Sequence, residues 1–241
     1  MFRDFTHNNR LNSSQEKNIM KNFNEITDTH RMEFIEHGYT IIDNFLPEDL
    51  HNEMLNELET ACIEINYQLR HGYYKDLLKS EFKNNPNEND YYIAKFKKIK
   101  LNEDMLTLQR FYKNHAIPII KEISNNLINY SSFPTAVKLG SGDLYRVHHD
   151  SFNGGIGYSY FINRGWKWDF GGILTYIRED LKAESIFPKT NRLLLRNEKF
   201  KHFHFLNSIE NFATSEQYII LGWADENLLT PSKVLGEYKK I

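Results

Sequence analysis

The second half of the sequence is a series of short apolar runs that alternate with turn-forming residues. Gly, Asn or Pro separates most of these runs from one another. Such a pattern is typical of the strands of an antiparallel sandwich or barrel. It therefore predicts a β-core over residues 136–225. The runs are Ala136–Leu139, Leu144–Val147, Ile156–Ile162, Gly172–Ile177, Arg192–Leu195, Phe203–Ile209 and Tyr218–Trp223.

The first half has a different pattern and predicts mainly helices up to about residue 130. Pro47, followed by two acidic residues, is a typical helix start, because proline and negative charge both suit a helix N-terminus. Apolar residues then recur at helical spacing as far as Ile65, and this places Cys62 in a buried position. A second helical region is expected over 101–128, with an interruption at Pro118.

Two segments are predicted from this organisation. Residues 1–28 are polar and lack periodicity, which predicts a mobile N-terminal extension. Residues 29–241 form one domain, in which the early helices brace the β-core. The fold class predicted from the chain is therefore α+β.

Composition excludes several kinds of partner. The formal net charge is −2, so no large field favours nucleic acid or an anionic membrane surface. No apolar run approaches the roughly 20 residues of a membrane span. The single cysteine, Cys62, excludes an internal disulfide framework and suits a reducing compartment, and the polar N-terminus does not look like a signal peptide. A cytoplasmic location is therefore expected; the oligomeric state cannot be read from the sequence.

A candidate metal site begins where one predicted strand ends. His148 and Asp150 are two residues apart, so in an extended chain both point to the same side, whereas His149 points away. A third ligand must come from a later strand, where His202 and His204 have the same parity. Two histidines and one carboxylate leave coordination positions open, as non-haem iron(II) oxygenases require. Structural zinc sites favour cysteine and close at four ligands, which this chain suits poorly.

From Lys138 to Asp225 the sequence resembles the prolyl-hydroxylase-like branch of the 2-oxoglutarate/iron(II) oxygenases, and the order and spacing of its motifs agree. The entry strand Gly38–Leu46 also resembles the strand that precedes the family's bracing helix. The matching pieces are Gly140–Asp150, Tyr160–Asn163, Trp166, Gly171–Leu174, Asn191–Leu195, His204 with Leu206 and Ile209, and Tyr218–Trp223.

This resemblance implies a double-stranded β-helix (a jelly-roll, cupin-like core) and three cofactors: Fe(II), 2-oxoglutarate and O2. It also chooses between the two late histidines. The family pattern has apolar residues at +2 and +5 from the distal ligand, which His204 meets and His202 does not. The implied metal ligands are thus His148, Asp150 and His204, and Tyr145 is a candidate for the wall of the co-substrate pocket or for a core tyrosine.

Three positions depart from the family pattern around the co-substrate. The family's arginine, which pairs with the distal carboxylate of 2-oxoglutarate, is replaced by Gln217. Two tyrosines are replaced by Lys138 and Phe161. In one hypothesis Lys138 supplies the missing positive charge, since Arg164 and Arg192 look better placed for the surface. In the other, the pocket no longer takes 2-oxoglutarate.

The sequence thus predicts an Fe(II) dioxygenase that hydroxylates a C–H bond of a peptide or small-molecule substrate, coupled to decarboxylation of 2-oxoglutarate. A 2-oxoglutarate-independent iron oxygenase, a catalytically degenerate binding protein and a zinc or metal-storage protein remain as alternatives. No residue beyond the metal ligands is predicted to act directly in catalysis.

Overall fold

A computed structural model describes residues 25–70, 92–100, 105–132, 134–148, 150, 155–178, 182–200, 202–225 and 238–240. Most of the predicted extension 1–28 therefore lies outside the described residues, as does His149.

Four α-helices lie in the first half of the described chain. Thr27 caps the first of them, because its hydroxyl accepts a hydrogen bond from the backbone N–H of His30. A π-helical turn, Tyr112–Ala116, joins the last two helices immediately before Pro118, whose ring would clash with the carbonyl four residues earlier in a regular helix. The helices are α1 (Asp28–Glu36), α2 (Glu48–Thr60), α3 (Leu106–Phe111) and α4 (Ile117–Ile123).

Thirteen β-strands make up the sheet of the described residues, and every pairing is antiparallel. They are β1 (Tyr39–Asp43), β2 (Ile63–Arg70), β3 (Tyr92–Ile99), β4 (Tyr130–Ser132), β5 (Thr135–Leu139), β6 (Leu144–His148), β7 (Ile156–Asn163), β8 (Leu174–Ile177), β9 (Ala183–Ile186), β10 (Arg192–Asn197), β11 (Phe203–Leu206), β12 (Gln217–Asp225) and β13 (Tyr238–Lys240).

The strand order encloses a core between two halves of the sheet. One half runs β1-β10-β7-β12-β5, the other runs β6-β11-β8-β9, and β3 joins them by pairing with both β5 and β6. One apolar cluster fills the interior between the halves, and includes Val137, Phe161, Leu194, Leu206 and Ile219. A second cluster lies between the outer face of the first half and the helices. Jelly-roll architecture of this kind confirms the predicted α+β, double-stranded β-helix class.

The first half is less helical than the sequence predicts. Apolar spacing suggested that the helix continues to Ile65, but α2 ends at Thr60 and Ile63 already belongs to β2, which pairs with β3. Cys62 lies in the connection and is exposed, so the prediction of a buried core thiol is wrong. A β-hairpin whose strands are separated by many residues carries no local signal that distinguishes it from the end of a helix.

Among the helices that the structure describes, none is long and apolar enough to cross a membrane.

Candidate metal centre

Two adjacent strands bring the three predicted ligands together. His148 is the last residue of β6, and His204 lies directly opposite it on β11. Asp150 follows β6 by two residues, so its side chain returns to the same side. One ligand atom from each of the three residues lies within 4.8 Å of the other two, and the two imidazole centroids are 4.3 Å apart. The sequence prediction for the positions of His148, Asp150 and His204 thus agrees with the geometry.

The donor distances fit a single small cation. The Nε2 atom of His148 lies 3.8 Å from Oδ1 of Asp150, and the Nε2 atom of His204 lies 3.8 Å from Oδ2 of the same residue. Metal–nitrogen and metal–oxygen bonds to such ligands are about 2.0–2.2 Å, so one ion can reach all three side chains with small adjustments.

Backbone carbonyls fix which nitrogen of each histidine faces the centre. Nδ1 of His148 lies 2.6 Å from the carbonyl oxygen of Arg146, and Nδ1 of His204 lies 3.2 Å from that of His202. Each Nδ1–H donates to the carbonyl two residues earlier, so both Nε2 lone pairs point into the site. An N–H held in this way is the usual support of a metal-ligating imidazole.

Charge states at the centre also suit metal binding. Burial, with a smaller contribution from neighbouring His148, lowers the pKa of His204 to about 3 against the opposing effect of Asp150, so the imidazole is neutral near pH 7. Burial by itself would raise the pKa of Asp150, but the nearby charge of Arg196 and the two histidines lower it to about 2. The site therefore offers a neutral nitrogen on His204 and an ionised carboxylate on Asp150.

A β-bulge places Tyr145 beside the centre. Leu206 lies opposite Tyr145 and His204 opposite His148, so β6 has one more residue than β11 between these pairs. The extra residue turns Tyr145 and His148 to the same side. The Tyr145 ring is half-buried, stacks on Phe96 at 5.0 Å and lies 6.1 Å from the His148 ring. Its position suits either predicted role, the pocket wall or the core.

Arg196, which sequence reasoning missed, contacts two of the three ligands. It lies on β10 and is 5% exposed, the only buried Lys or Arg within the described ranges. Its Nη1 atom donates to Oδ2 of Asp150 at 2.9 Å and lies 3.3 Å from Nε2 of His204. Sequence alternation could not have found it, because Leu193, Leu194 and Leu195 make both faces of β10 apolar. In the structure Arg196 shares strand parity with Leu194, which faces the interior.

Glu198 and Gly157 hold the Arg196 side chain in place. Oε1 of Glu198 lies 3.4 Å from Nε of Arg196, and both side chains are buried. Gly157 lies opposite Arg196 on β7, and a Cβ atom there would fall within 3.0 Å of atoms of both charged side chains. Burial raises the pKa of Glu198 to about 8 despite the Arg196 charge, because one guanidinium serves two buried carboxyl groups.

Gln217 lies at the other end of the interior. It is the first residue of β12 and is fully buried, with the same parity as Ile219 of the interior cluster. Its Nε2 atom donates to the Gly172 carbonyl at 3.1 Å, and its Oε1 atom has no hydrogen-bond partner in the described part of the chain. Gly172 has a φ of +64°, and a Cβ atom there would lie 2.8 Å from that oxygen, so only glycine fits.

Lys138 lies on the opposite face of the sheet from the centre. Its neighbours in β5, Val137 and Leu139, belong to the interior cluster, whereas Lys138 points toward the helices beside Tyr218. Its ammonium forms an ion pair with Glu216 and lies over the Tyr218 ring. The structure thus brings the three ligands and Tyr145 together but does not place Lys138 or Gln217 beside them.

The other candidate cations and His202 also lie elsewhere. Arg164 is exposed and paired with Glu59, whereas Arg192 is half-buried and forms two hydrogen bonds to Asp43. Nε2 of His202 lies 2.9 Å from the carbonyl oxygen of His37, on the side of α1.

Comparison with known proteins gives a structural likeness only. No family model matches the sequence, and no curated protein matches it. The structure is similar to a prolyl hydroxylase from Trichoplax adhaerens, solved with a hypoxia inducible factor peptide fragment, with a TM-score of 0.65 and 19% identity over 92% of this chain and 99% of that one.

Two bacterial structures are also similar. A prolyl-4-hydroxylase from Pseudomonas putida has a TM-score of 0.56 and 15% identity, covering 83% of this chain and 98% of that one. A 2OG-Fe(II) oxygenase family oxidoreductase from Burkholderia pseudomallei has a TM-score of 0.58 and 8% identity, covering 82% and 90%. The ligand geometry and these neighbours agree: this chain has the fold of the 2-oxoglutarate/iron(II) oxygenases and is similar to their prolyl-hydroxylase-like branch.

Proposed function

We propose that the protein is a non-haem iron(II) dioxygenase that hydroxylates a C–H bond, with His148, Asp150 and His204 as the metal ligands. The observation that carries this proposal is the group of three donor atoms within 4.8 Å, two of them on imidazoles and one on an ionised carboxylate. This ligand set leaves positions open for O2 and a second reactant, and it suits iron(II) better than structural zinc.

Iron(II), when bound, would supply the redox chemistry that lets O2 react with a C–H bond. The protein's own residues would place the metal and exclude water. The Asp150 carboxylate is held by Arg196, the ring of Tyr176 stacks on His204 at 5.2 Å, and the interior cluster surrounds the site with apolar side chains. Such walls keep the dielectric low around the reacting groups.

We further propose that the electrons come from a 2-oxo acid, 2-oxoglutarate in the first hypothesis, with Tyr145 beside the metal end and Gln217 at the far end. Support comes from the fold and from the apolar interior between the ligands and Gln217. In this hypothesis Lys138 replaces the family's arginine. Its ion pair with Glu216 and its outward face do not favour that role.

The second candidate is an iron oxygenase that does not use 2-oxoglutarate, and Gln217 favours it. A distal carboxylate beside Gln217 would meet an amide whose orientation is set by the Gly172 carbonyl. An unpaired charge in so buried a position costs several kcal/mol. The reaction would then draw its electrons from the substrate or from a 2-oxo acid with a neutral far end.

The substrate is proposed to be a peptide or a small molecule. The Trichoplax adhaerens neighbour was solved with a peptide, which supports the first class by analogy of fold alone. O2 consumption by the iron-loaded protein with candidate substrates separates an enzyme from a degenerate binding protein, which would consume none.

One titration decides between the two co-substrate hypotheses. Anaerobic protein loaded with iron(II) is titrated with 2-oxoglutarate in a calorimeter. Binding at micromolar ligand supports the coupled enzyme, whereas no binding at millimolar ligand removes 2-oxoglutarate from the proposal and leaves the iron site intact. Metal analysis of the purified protein tests iron against zinc in the same preparation.

A further inference from the structure

The Arg196 guanidinium lies where it must interact with any cation bound by the three ligands. Its Nη1 atom is 3.3 Å from Nε2 of His204 and 2.9 Å from Oδ2 of Asp150. A metal bound to Nε2 lies about 2 Å from that atom, so metal and Nη1 would be at most roughly 5 Å apart unless the side chain moves. Two positive charges at this distance in a buried site repel each other with little screening.

The Arg196 side chain has little freedom to move away. It is enclosed by Glu198 on one side and by the backbone of Gly157 on the other. Glu198 is itself 6% exposed, so the pair cannot be shifted toward solvent without breaking the packing around β7 and β10. The guanidinium is thus a fixed part of the centre.

Metal binding would leave one guanidinium donor without an acceptor. Nη1 of Arg196 now faces Nε2 of His204 at 3.3 Å, and a bound metal would take that lone pair. Nη2 cannot replace it, because it is buried beside Gly157 on the side of Glu198. Guanidinium N–H groups bind carboxylates strongly, and buried donors without partners are costly. A carboxylate that enters the centre would accept from Nη1 and also place negative charge between the metal and Arg196.

We propose that Arg196 makes metal binding by His148, Asp150 and His204 depend on a carboxylate-bearing co-ligand, which contacts the metal and Arg196 together. This inference rests on the proposed metal site. It assigns Arg196 as a carboxylate-recognition residue at the metal end of the cavity, whichever co-substrate occupies the far end. Without the carboxylate, Arg196 opposes the metal; with it, the two cations share one anion.

The test measures Mn(II) affinity of the metal-free, full-length protein with and without oxalate, a small dicarboxylate that does not reach Gln217. In the wild type, saturating oxalate tightens Mn(II) binding by roughly tenfold or more. In Arg196→Met, Mn(II) alone binds more tightly than in the wild type, because the repulsion is removed. The coupling factor is the ratio of the Mn(II) affinities with and without oxalate. In Arg196→Met it falls to a fifth or less of its wild-type value, since only chelation of the metal by oxalate remains.

Control variants separate this effect from a general loss of structure. Arg192→Gln removes a cation from the same strand that is paired with Asp43, and it leaves both affinities unchanged. The double variant Arg196→Met with Glu198→Gln removes both members of the buried pair and replaces the single variant if that one does not fold. We expect the same tighter Mn(II) binding and the same reduced coupling factor.

Three results would overturn the inference, and a fourth concerns only the first co-substrate hypothesis. If Arg196→Met weakens Mn(II) binding by the same factor with and without oxalate, Arg196 is only structural. If the coupling factor equals that of the wild type, Arg196 does not recognise the carboxylate, while the metal site stands. If Mn(II) binds the wild type neither with nor without oxalate, the proposed metal site fails and this inference fails with it. If oxalate tightens Mn(II) binding but 2-oxoglutarate does not bind, only the first co-substrate hypothesis fails.

Discussion

The two ends of the barrel interior differ sharply in charge. At the metal end, the buried Arg196 and Glu198 and the half-buried Asp150 lie beside two imidazoles, whereas at the far end Gln217 presents a neutral amide next to Gly172. Apolar side chains separate the two ends. Charged ligand groups can therefore be recognised at the metal end of the interior. A group that reaches the far end can form hydrogen bonds there but meets no charge.

The largest effect is expected when the metal end loses a ligand. His204→Ala or Asp150→Ala should weaken metal binding by more than about 100-fold, since even removal of a supporting residue costs 10–100-fold. Calorimetry with Mn(II) and oxalate measures the loss. His202→Ala is the matched control, because its imidazole faces the His37 carbonyl, and it should bind metal as the wild type does. Equal losses in both histidine variants would remove His204 from the site.

A positive charge introduced at the far end should let that end bind a carboxylate as well. In Gln217→Arg, a guanidinium can pair with a distal carboxylate, so 2-oxoglutarate binding to the metal-loaded protein should tighten by roughly 10- to 100-fold. Oxalate affinity, read in the same calorimeter, should stay constant because oxalate does not extend that far. Gln217→Leu is the control and should not gain affinity. If Gln217→Arg gains none either, the far end does not receive a carboxylate.

An effect on stability rather than on binding concerns the spare carboxyl group at the metal end. Burial raises the pKa of Glu198 to about 8, above its value in the unfolded chain, so the native protein holds a proton that the unfolded chain releases. Stability from this group is complete below the pH at which the unfolded carboxyl titrates and is lost as the pH rises through about 8, by roughly 3 kcal/mol between pH 6 and pH 9.

Urea unfolding of the metal-free protein at pH 6 and pH 9 measures this loss, and Glu198→Gln should reduce it. Gln217→Leu, a change at the uncharged end, should leave the pH dependence as it is. A variant with an unchanged slope at position 198 would show that Glu198 is ionised throughout the range.

The smallest effect is expected at Lys138. Because its ammonium is paired with Glu216 on the outer face, Lys138→Met should change the affinity of the metal-loaded protein for 2-oxoglutarate by less than about twofold. The same calorimetric titration applies. A loss of tenfold or more in 2-oxoglutarate affinity, with iron affinity unchanged, would instead show that Lys138 binds the distal carboxylate of the co-substrate.

Much of this contrast could be predicted from sequence at the metal end. His148 and Asp150 share a side because they are two residues apart, and the position of His204 followed from the spacing of Leu206 and Ile209. These signals are local. The pairing of β2 with β3 was missed because its strands are separated by a long segment, and Cys62 was misplaced as a result.

Arg196 and Lys138 show why the rest was harder. Both lie on strands whose two faces are apolar, so alternation does not reveal which face is the interior. Arg196 lies just beyond the run Arg192–Leu195 and was not singled out, whereas Lys138 was interpreted as a charge available to the co-substrate. Only the three-dimensional register, in which Arg196 lies opposite Gly157 and Lys138 opposite Tyr218, separates a buried cation from an outward one.

The imidazole of each ligand is steered by a carbonyl only two residues earlier on its own strand. The orientation of each imidazole ring is thus encoded within a tripeptide and does not rely on distant packing. Such short-range encoding tolerates evolutionary drift: most of the surrounding chain can be replaced while the coordinating nitrogens keep their direction.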